Sequence, residues 1–195
     1  MQLLSGAPKA LPVGLYEQAA RYRQQVFVER LGWKLQTSQG MEADQFDRPD
    51  TVYVVAQNHK AEIVGCARLL PTNRPYLLGE IFPQLLNGLS VPCSSDVWEL
   101  SRFAAGRLDD AKEETANRSL LNPMLSPIAE PLLREAIRCV AVHGAKRLIT
   151  VSPLGVERLL RRAGIEARRA GPPVLIEGSP VVACWIELAQ REGAI

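Results

Sequence analysis

Acidic, basic and aromatic residues recur in five short stretches between residues 23 and 103 of this 195-residue chain. The stretches are Arg23 with Phe27, Trp33, Glu42 to Asp47, Arg68 to Thr72, and Glu99 to Phe103. We expect them to lie in separate structural elements, so a fold would have to bring them together. Carboxylates bind ammonium groups, guanidinium groups bind carboxylates in bidentate pairs, and aromatic faces bind rings or cations. The set suits one zwitterionic ligand that carries a ring.

The same stretches resemble the signature of the acyl-homoserine-lactone synthases, which make the diffusible quorum-sensing signal of many proteobacteria. Members of that family have Arg-x-x-x-Phe on the first helix, a Trp soon after, and Glu-x-Asp-x-(Phe/Tyr)-Asp in a loop. They also have Gly-x-x-Arg-Leu on one strand and Glu-x-Ser-Arg-(Phe) on another. Every one of these positions is filled here, and the resemblance continues more loosely to the C-terminus.

The resemblance implies an enzyme that transfers a fatty acyl chain from acyl carrier protein to S-adenosylmethionine. The methionyl amine would attack the thioester carbonyl, and the methionyl carboxylate would then displace methylthioadenosine to close a lactone. S-adenosylmethionine is then a co-substrate, and no further cofactor is expected. A zinc site is not expected either, because the chain has two histidines and no Cys-x-x-Cys pair.

The predicted catalytic residues are Glu99, Ser101 and Arg102. The attacking amine must be neutral, so a carboxylate must take its proton directly or through one water. The family places that carboxylate at Glu99, although Glu99 could instead pair with an arginine and organise the cleft. Ser101 and backbone N–H groups near Arg102 and Phe103 are candidates to polarise the thioester carbonyl, above all if a β-bulge turns an N–H into the cleft.

The predicted S-adenosylmethionine site combines aspartates, arginines and aromatic rings. The aspartates would hold the ammonium and ribose hydroxyls, one arginine the carboxylate, and the rings the adenine or sulfonium. The alternative is a structural ion cluster in which Asp44, Asp47 and Glu99 neutralise three arginines, and both can hold at once. The full predicted set is Arg23, Phe27, Trp33, Asp44, Asp47, Arg68, Phe82, Arg102 and Phe103.

Two further surfaces are predicted for the acyl donor. An apolar pocket between the 126–142 helix and the late strands would hold the acyl tail, lined by Met124, Leu125, Thr150, Val151, Ser152 and Trp185. The acidic carrier protein would dock on Arg158, Arg161 and Arg162, which with Arg168 and Arg169 form the densest basic patch in the sequence. Such a run of arginines is equally compatible with a solvated helix face.

Hydrophobic patterning predicts one domain over residues 1–195. The predicted elements are a helix over 13–31, a loop over 34–50, strands over 51–56 and 62–70, a helical turn over 79–86, a strand over 97–103, a polar segment over 109–122, a helix over 126–142, a strand over 146–152, a helix over 154–163, and strands over 174–177 and 181–188. This order predicts an α/β sandwich with a mixed, mostly antiparallel central sheet flanked by helices. The family resemblance implies that this fold is acetyltransferase-like.

Composition excludes several other classes. A net charge of +2 is too small to predict a nucleic-acid partner. The sequence contains no stretch of about 18 apolar residues, so no contact with a membrane is predicted. The four cysteines are far apart, which favours free thiols, and the absence of a signal peptide predicts a cytoplasmic protein.

Three alternatives to the synthase have specific weaknesses. A coenzyme A-dependent N-acyltransferase would need a (Gln/Arg)-x-x-Gly-x-(Gly/Ala) phosphate loop, whereas the chain after Phe103 reads Ala-Ala-Gly-Arg-Leu-Asp-Asp. A non-catalytic ligand-binding regulator would be expected to have lost an acid or an arginine, and none is lost. A nucleic-acid module on the Arg158 to Arg169 patch would need aromatic residues between the arginines.

Overall fold

The computed structural model of the chain describes residues 1–108, 126–154 and 156–188. Within these ranges it has a mixed α/β architecture with eight strands in the central sheet, a separate two-stranded hairpin and a few helices. The predicted fold class is confirmed, because the described strand pairs are antiparallel except for one parallel pair. The predicted polar segment over 109–122 lies outside the described residues.

The chain divides into two compact units, residues 1–69 with 102–136 and residues 70–101 with 137–195. The assignment of residues 1–195 to one domain stays a prediction. In the first unit, the strand Gln2–Gly6 pairs antiparallel with Val52–Gln57, which in turn pairs antiparallel with Ile63–Pro71. Its elements are β1 (Gln2–Gly6), α1 (Leu15–Arg23), a π-helical segment (Gln24–Arg30), β2 (Thr37–Ser38), β3 (Met41–Glu42), β4 (Val52–Gln57) and β5 (Ile63–Pro71). The last two residues of β5 belong to the second unit.

Helix α1 forms where the sequence places apolar residues three and four positions apart. Leu15, Ala19 and Tyr22 are buried, as this spacing requires for one face of a helix. The hydroxyl of Tyr22 donates a hydrogen bond to the carbonyl of Gly106 at 2.8 Å. The predicted helix over 13–31 therefore exists, but after Arg23 it widens into the π-helical segment, a form frequent at functional sites.

The hairpin of β2 and β3 lies inside the stretch that the sequence predicts to be a loop. Ser38 pairs with Met41, and the two residues between them, Gln39 and Gly40, have left-handed φ angles of 52° and 72°. Two left-handed residues make the tight turn that matches the twist of short antiparallel strands. The hairpin fixes the chain just before Asp44.

The second unit contains the parallel pair. The strand Val97–Ala105 runs parallel to Arg147–Pro153, with Glu99 opposite Ile149. The strand Ser179–Glu187 runs antiparallel to Arg147–Pro153, Ala167–Arg169 and Val174–Ile176. Its elements are α2 (Leu77–Ile81), a 3₁₀ turn (Pro83–Leu86), the first five residues of β6 (Val97–Ala105), the end of α3 (Ala129–Val142), β7 (Arg147–Pro153), α4 (Val156–Arg162), β8 (Ala167–Arg169), β9 (Val174–Ile176) and β10 (Ser179–Glu187).

Several features bear on compartment and ligands. None of the helices in the described ranges has the length and apolar composition needed to cross a bilayer. The four cysteines are free thiols, of which Cys93 is exposed and the other three are buried. Among the described residues, no group of three or more His, Cys, Asp or Glu side chains is placed to hold a metal ion.

Candidate functional site

Arg23 lies at the last position of α1 and is almost completely buried. Its Nη1 and Nη2 atoms donate hydrogen bonds to the two oxygens of Asp47 at 2.7 and 2.9 Å, which makes a bidentate pair. Its Nε atom donates to Oε2 of Glu42. A guanidinium is tolerated in this interior because both carboxylates neutralise it and satisfy its N–H groups.

Arg68 on β5 and Arg102 on β6 extend this arrangement. Arg68 Nη1 donates to Oδ1 of Asp44 at 2.6 Å and to Oδ2 of Asp47 at 3.2 Å. Arg102 Nη2 donates to Oε1 of Glu42 and to Oδ2 of Asp44, each at 3.0 Å. Acid and base therefore alternate around a closed, electrically balanced ring, which we call the ion ring. Its members in order are Arg23, Glu42, Arg102, Asp44, Arg68 and Asp47.

Glu42 is the member of the ion ring that the predicted site set leaves out. Its carboxylate is fully buried and links Arg23 to Arg102. The sequence carried a signal for it, since Glu42 begins the Glu-x-Asp-x-Phe-Asp stretch. The decisive feature is β3, because alternation along that short strand turns Glu42 inward while Met41 stays half-buried.

Asp47 is saturated with hydrogen bonds. Besides the two bonds from Arg23 and the one from Arg68, it accepts the hydroxyl of Tyr53 and the backbone N–H of Asp44. Burial alone would raise the pKa of Asp47, but the hydrogen bonds and charge of Arg23, aided by Arg68 and Tyr53, outweigh burial and hold that pKa well below its usual value. Asp47 is therefore held ionised by its neighbours, and Tyr53 is a second residue in contact with the ion ring that the predicted set omits.

The ion ring is most open at Asp44 and Arg102. The side chain of Asp44 is 11% exposed and that of Arg102 5%, whereas those of Glu42 and Asp47 are 0% and 2% exposed. Oδ2 of Asp44 accepts one described hydrogen bond, from Arg102, while Oδ1 accepts two, from Arg68 and the N–H of Phe46. An ammonium group and a carboxylate could approach the ring at this pair.

Arg102 has a strained backbone. Its φ angle is 49°, in the left-handed region, although it stands inside strand β6. This conformation costs a residue with a Cβ atom about 1 to 3 kcal/mol and marks an irregular strand. The Arg102 carbonyl accepts a hydrogen bond from the thiol of Cys66 at 3.3 Å. The sequence analysis allowed for an irregularity near Arg102 and Phe103, and the left-handed φ angle lies at Arg102.

Phe27 and Trp33 stack on each other, with ring centroids 5.0 Å apart and planes 23° apart. Phe27 is buried in the core, and its ring centroid lies 5.8 Å from the guanidinium carbon of Arg102. Trp33 is 38% exposed. Of these two aromatic residues, Trp33 is therefore the one that can offer a face to a ligand. The buried ring of Phe27 packs against both the Trp33 ring and the Arg102 guanidinium.

Glu99, in the second unit, is fully buried. Its Oε2 accepts the backbone N–H of Leu77 at 3.0 Å, and its Oε1 accepts that of Leu78 at 2.7 Å. Among the other predicted residues of this unit, Ser101 is buried and Phe82 is half-buried just after α2. Phe103, in the first unit, is half-buried.

The residues predicted to line the acyl pocket lie on two faces of the sheet. The hydroxyl oxygens of Thr150 and Ser152 are 3.0 Å apart on one face, while Val151 and Trp185 belong to the other. Successive strand residues point to opposite faces, so Thr150 and Ser152 do not share a face with Val151 and Trp185, and the pocket lining stays a prediction. The guanidinium carbons of Arg147 on β7 and Arg168 on β8 lie 4.9 and 6.0 Å from the centroid of the Trp185 ring. Met124 and Leu125 lie outside the described residues.

The predicted basic patch is also divided. Arg161 and Arg162 are exposed on α4, and the side chain of Arg158 lies outside the described part of the chain. Arg169 donates to Glu157 at 2.8 Å, whereas Arg168 is 3.6 Å from Glu187 and belongs to the opposite face of β8. Of the three predicted docking residues, Arg161 and Arg162 are the two whose side chains the structure describes.

Comparison with known proteins gives a consistent result. The family model described as autoinducer synthase matches residues 13–193. The acyl-homoserine-lactone synthase of Acinetobacter nosocomialis is 52% identical over 188 residues, which cover 96% of this chain and 100% of that protein.

Solved structures show similar likenesses. The crystal structure of TofI in a ternary complex with an inhibitor and MTA is 46% identical with a TM-score of 0.80, covering 96% of this chain and 92% of that one. The CoA-dependent acyl-homoserine lactone synthase BjaI, solved with SAM and isopentyl-CoA, is 25% identical with a TM-score of 0.81, covering 97% and 83%. A putative N-acetyltransferase from Lactobacillus plantarum, 17% identical with a TM-score of 0.57 and coverage of 96% and 97%, shares the fold alone.

Proposed function

We propose that this chain, which belongs to the autoinducer synthase family, makes an N-acyl-L-homoserine lactone from S-adenosyl-L-methionine and an acyl-acyl carrier protein. It matches acyl-homoserine-lactone synthases over nearly its whole length, so it is an acyl-transferring enzyme of quorum sensing. The acyl donor, the two reaction steps, the residue roles and a cytoplasmic location go beyond that shared activity and are parts of the proposal.

The observation that carries the proposal is the line of groups Asp44, Arg102, Phe27 and Trp33 in the first unit. It begins with the open carboxylate of the ion ring, continues with a guanidinium, and ends with an indole that has an exposed face. In this order the line matches the ammonium, the carboxylate and the adenosyl sulfonium of S-adenosylmethionine. Asp44, Arg102 and Trp33 are the proposed ligand contacts, and the other ion-ring members fix their positions.

The proposed reaction has two bond-forming steps. The neutral amine attacks the thioester carbonyl, and the carrier thiol leaves with a proton as the amide forms. The carboxylate oxygen then attacks the carbon next to the sulfonium, and methylthioadenosine leaves with the bonding electrons. The second step joins two ends of one molecule, so a ligand held in a folded conformation gains most of its rate from proximity. A rigid ion ring suits that task, because Arg102 can hold the carboxylate in a fixed place.

The choice of acyl carrier protein as donor is supported by Arg161 and Arg162. They are exposed cations on α4, and an acidic partner would be attracted to them. Coenzyme A is the competing donor, and BjaI is a CoA-dependent relative. A carrier protein and coenzyme A present the same thioester, so only a direct comparison separates them.

Initial rates with one acyl chain attached to either donor test the proposal. With saturating S-adenosylmethionine, we expect kcat/KM for the acyl carrier thioester to exceed that for the matched acyl-coenzyme A thioester by about 100-fold, the scale of an added protein interface. Equal values, or a preference for coenzyme A, would contradict the assigned donor while leaving the synthase activity intact.

A further inference from the structure

We propose that Glu99 is a positioning residue whose carboxylate holds the segment from Tyr76 to Phe82 in place, and that it does not take the proton from the attacking amine. This inference rests on the proposed function, because it concerns a residue to which the family resemblance gives a catalytic role. The contacts that carry it all lie within the second unit.

Helix α2 depends on Glu99 for its start. The helix has five residues, and Tyr76 at its N-cap position makes no side-chain capping hydrogen bond. The N–H groups of the first turn of a helix have no partner inside the helix. Glu99 supplies partners for two of them, Leu77 at 3.0 Å and Leu78 at 2.7 Å. A helix this short is unstable alone, so a buried carboxylate from β6 is what anchors it.

The rest of the segment is packed closely around the same point. A Cβ atom added to Gly79 would lie 2.9 Å from the Tyr76 ring and 3.1 Å from Val91. The Tyr76 hydroxyl donates to the carbonyl of Pro92 at 2.7 Å. Burial, followed by the negative charge of Glu99, raises the pKa of Tyr76, so this hydroxyl stays protonated and keeps donating. Phe82, a predicted ligand contact, directly follows the helix, so its position depends on this packing.

The geometry of Glu99 suits an anchor better than a base. A general base needs an oxygen directed at the amine or at a water that relays its proton. Each oxygen of Glu99 already accepts a backbone N–H, and the residue is fully buried. Protonation would convert two charge-assisted hydrogen bonds into weaker neutral ones and would loosen α2 in every catalytic cycle.

Glu99→Gln and Gly79→Ala are the two variants that test the inference, with Glu166→Gln as a matched exposed control. The glutamine keeps one acceptor oxygen but turns an NH₂ group toward the other N–H, while the alanine disturbs the same segment without touching a charge. We expect both variants to lower kcat by about 10- to 100-fold, the effect of a small misplacement. We also expect both to keep the wild-type pH profile of kcat/KM.

Amide hydrogen exchange, followed by NMR, provides the second readout. In Glu99→Gln the amides of Leu77 and Leu78 should exchange at least about tenfold faster, because each loses a charge-assisted hydrogen bond. The Glu166→Gln control should match wild type in both readouts.

The inference would be overturned if Glu99→Gln lost the limb of the pH profile of kcat/KM that reports a general base. Unchanged amide hydrogen exchange at Leu77 and Leu78 in this variant would overturn it too. Wild-type turnover in Gly79→Ala would also overturn it, and this variant decides the matter if Glu99→Gln does not fold. If the wild-type chain formed no lactone, the proposed function would fail, yet the exchange experiment would still report whether Glu99 anchors α2.

Discussion

The six members of the ion ring differ in what surrounds them, and our proposal assigns ligand contact and structural support according to this difference. Asp47 is enclosed by Arg23, Arg68 and Tyr53, while Asp44 is the most exposed acid of the ring. We therefore propose different tasks for these two aspartates, which are three positions apart in one loop. The ring also explains why three arginines can be buried together, since each has two carboxylate partners.

Asp44→Asn should chiefly weaken ligand binding, whereas Asp47→Asn should chiefly lower stability. Removing the charge of Asp44 should weaken binding of an unreactive S-adenosylmethionine analogue by about 10- to 100-fold, the value of one hydrogen bond to a charged group. Asp47→Asn should chiefly lower the melting temperature, because it leaves Arg23 without its bidentate partner. Titration calorimetry and thermal unfolding measure the two effects. Equal losses of affinity with unchanged melting temperatures would assign both residues to the ligand.

The pKa of Asp47 gives its contribution a defined dependence on pH. Because this pKa is lower in the folded chain than in the unfolded one, ionised Asp47 stabilises the fold fully above the unfolded value of about 4. The contribution is lost as pH falls from there toward the folded pKa. The melting temperatures of wild type and Asp47→Asn should therefore differ most at neutral pH and converge below about pH 4. A difference in melting temperature between wild type and Asp47→Asn that stayed constant down to pH 3 would contradict this role. The variant Glu17→Gln, at an exposed position, is the control.

Among the elements, α1 and the β4–β5 hairpin were predictable because their apolar residues follow a clear period over many residues. β2, β3 and β8 have two or three residues each, too few to show a period, so no strand was predicted at these positions. The ion ring was predictable only through motif resemblance, which named five of its members. Glu42 was omitted because its inward direction depends on β3, and the face of the sheet on which Trp185 lies could not be assigned without the register of β7 and β10.

Helix α4 carries the element-level prediction about the carrier protein. Arg161→Glu combined with Arg162→Glu should raise KM for the acyl carrier thioester by about tenfold or more, because reversed charges repel an acidic partner. A small carrier-free thioester should react at the wild-type rate. The wild-type rate with carrier protein should also fall with added salt, since exposed charges are screened beyond about 8 to 10 Å.

Arg134→Glu is the matched control for the variant of Arg161 and Arg162, because Arg134 is an arginine on another helix, α3, with a side chain that is 58% exposed. It should leave KM for the carrier near wild type. If the α4 variant keeps its carrier affinity, or loses the carrier-free reaction equally, then Arg161 and Arg162 form a solvated helix face.

For the whole molecule, the comparisons confirm the family that the motifs indicate, and the structure confirms the α/β class with its mixed sheet. Fold alone would not have given the function, since a putative N-acetyltransferase shares the architecture at 17% identity. In our proposal the ion ring of the first unit and the Glu99 anchor of the second unit hold the groups that carry out the reaction.

The most direct test of the account is mass spectrometry of the products formed from an acyl-acyl carrier protein and S-adenosylmethionine labelled in its methionyl carbons. We predict a labelled N-acyl-homoserine lactone and an equimolar amount of methylthioadenosine, with both greatly reduced in Asp44→Asn and unchanged in Glu17→Gln. An acylated product without lactone and without methylthioadenosine would contradict the account, because the carboxylate would then not be held for ring closure.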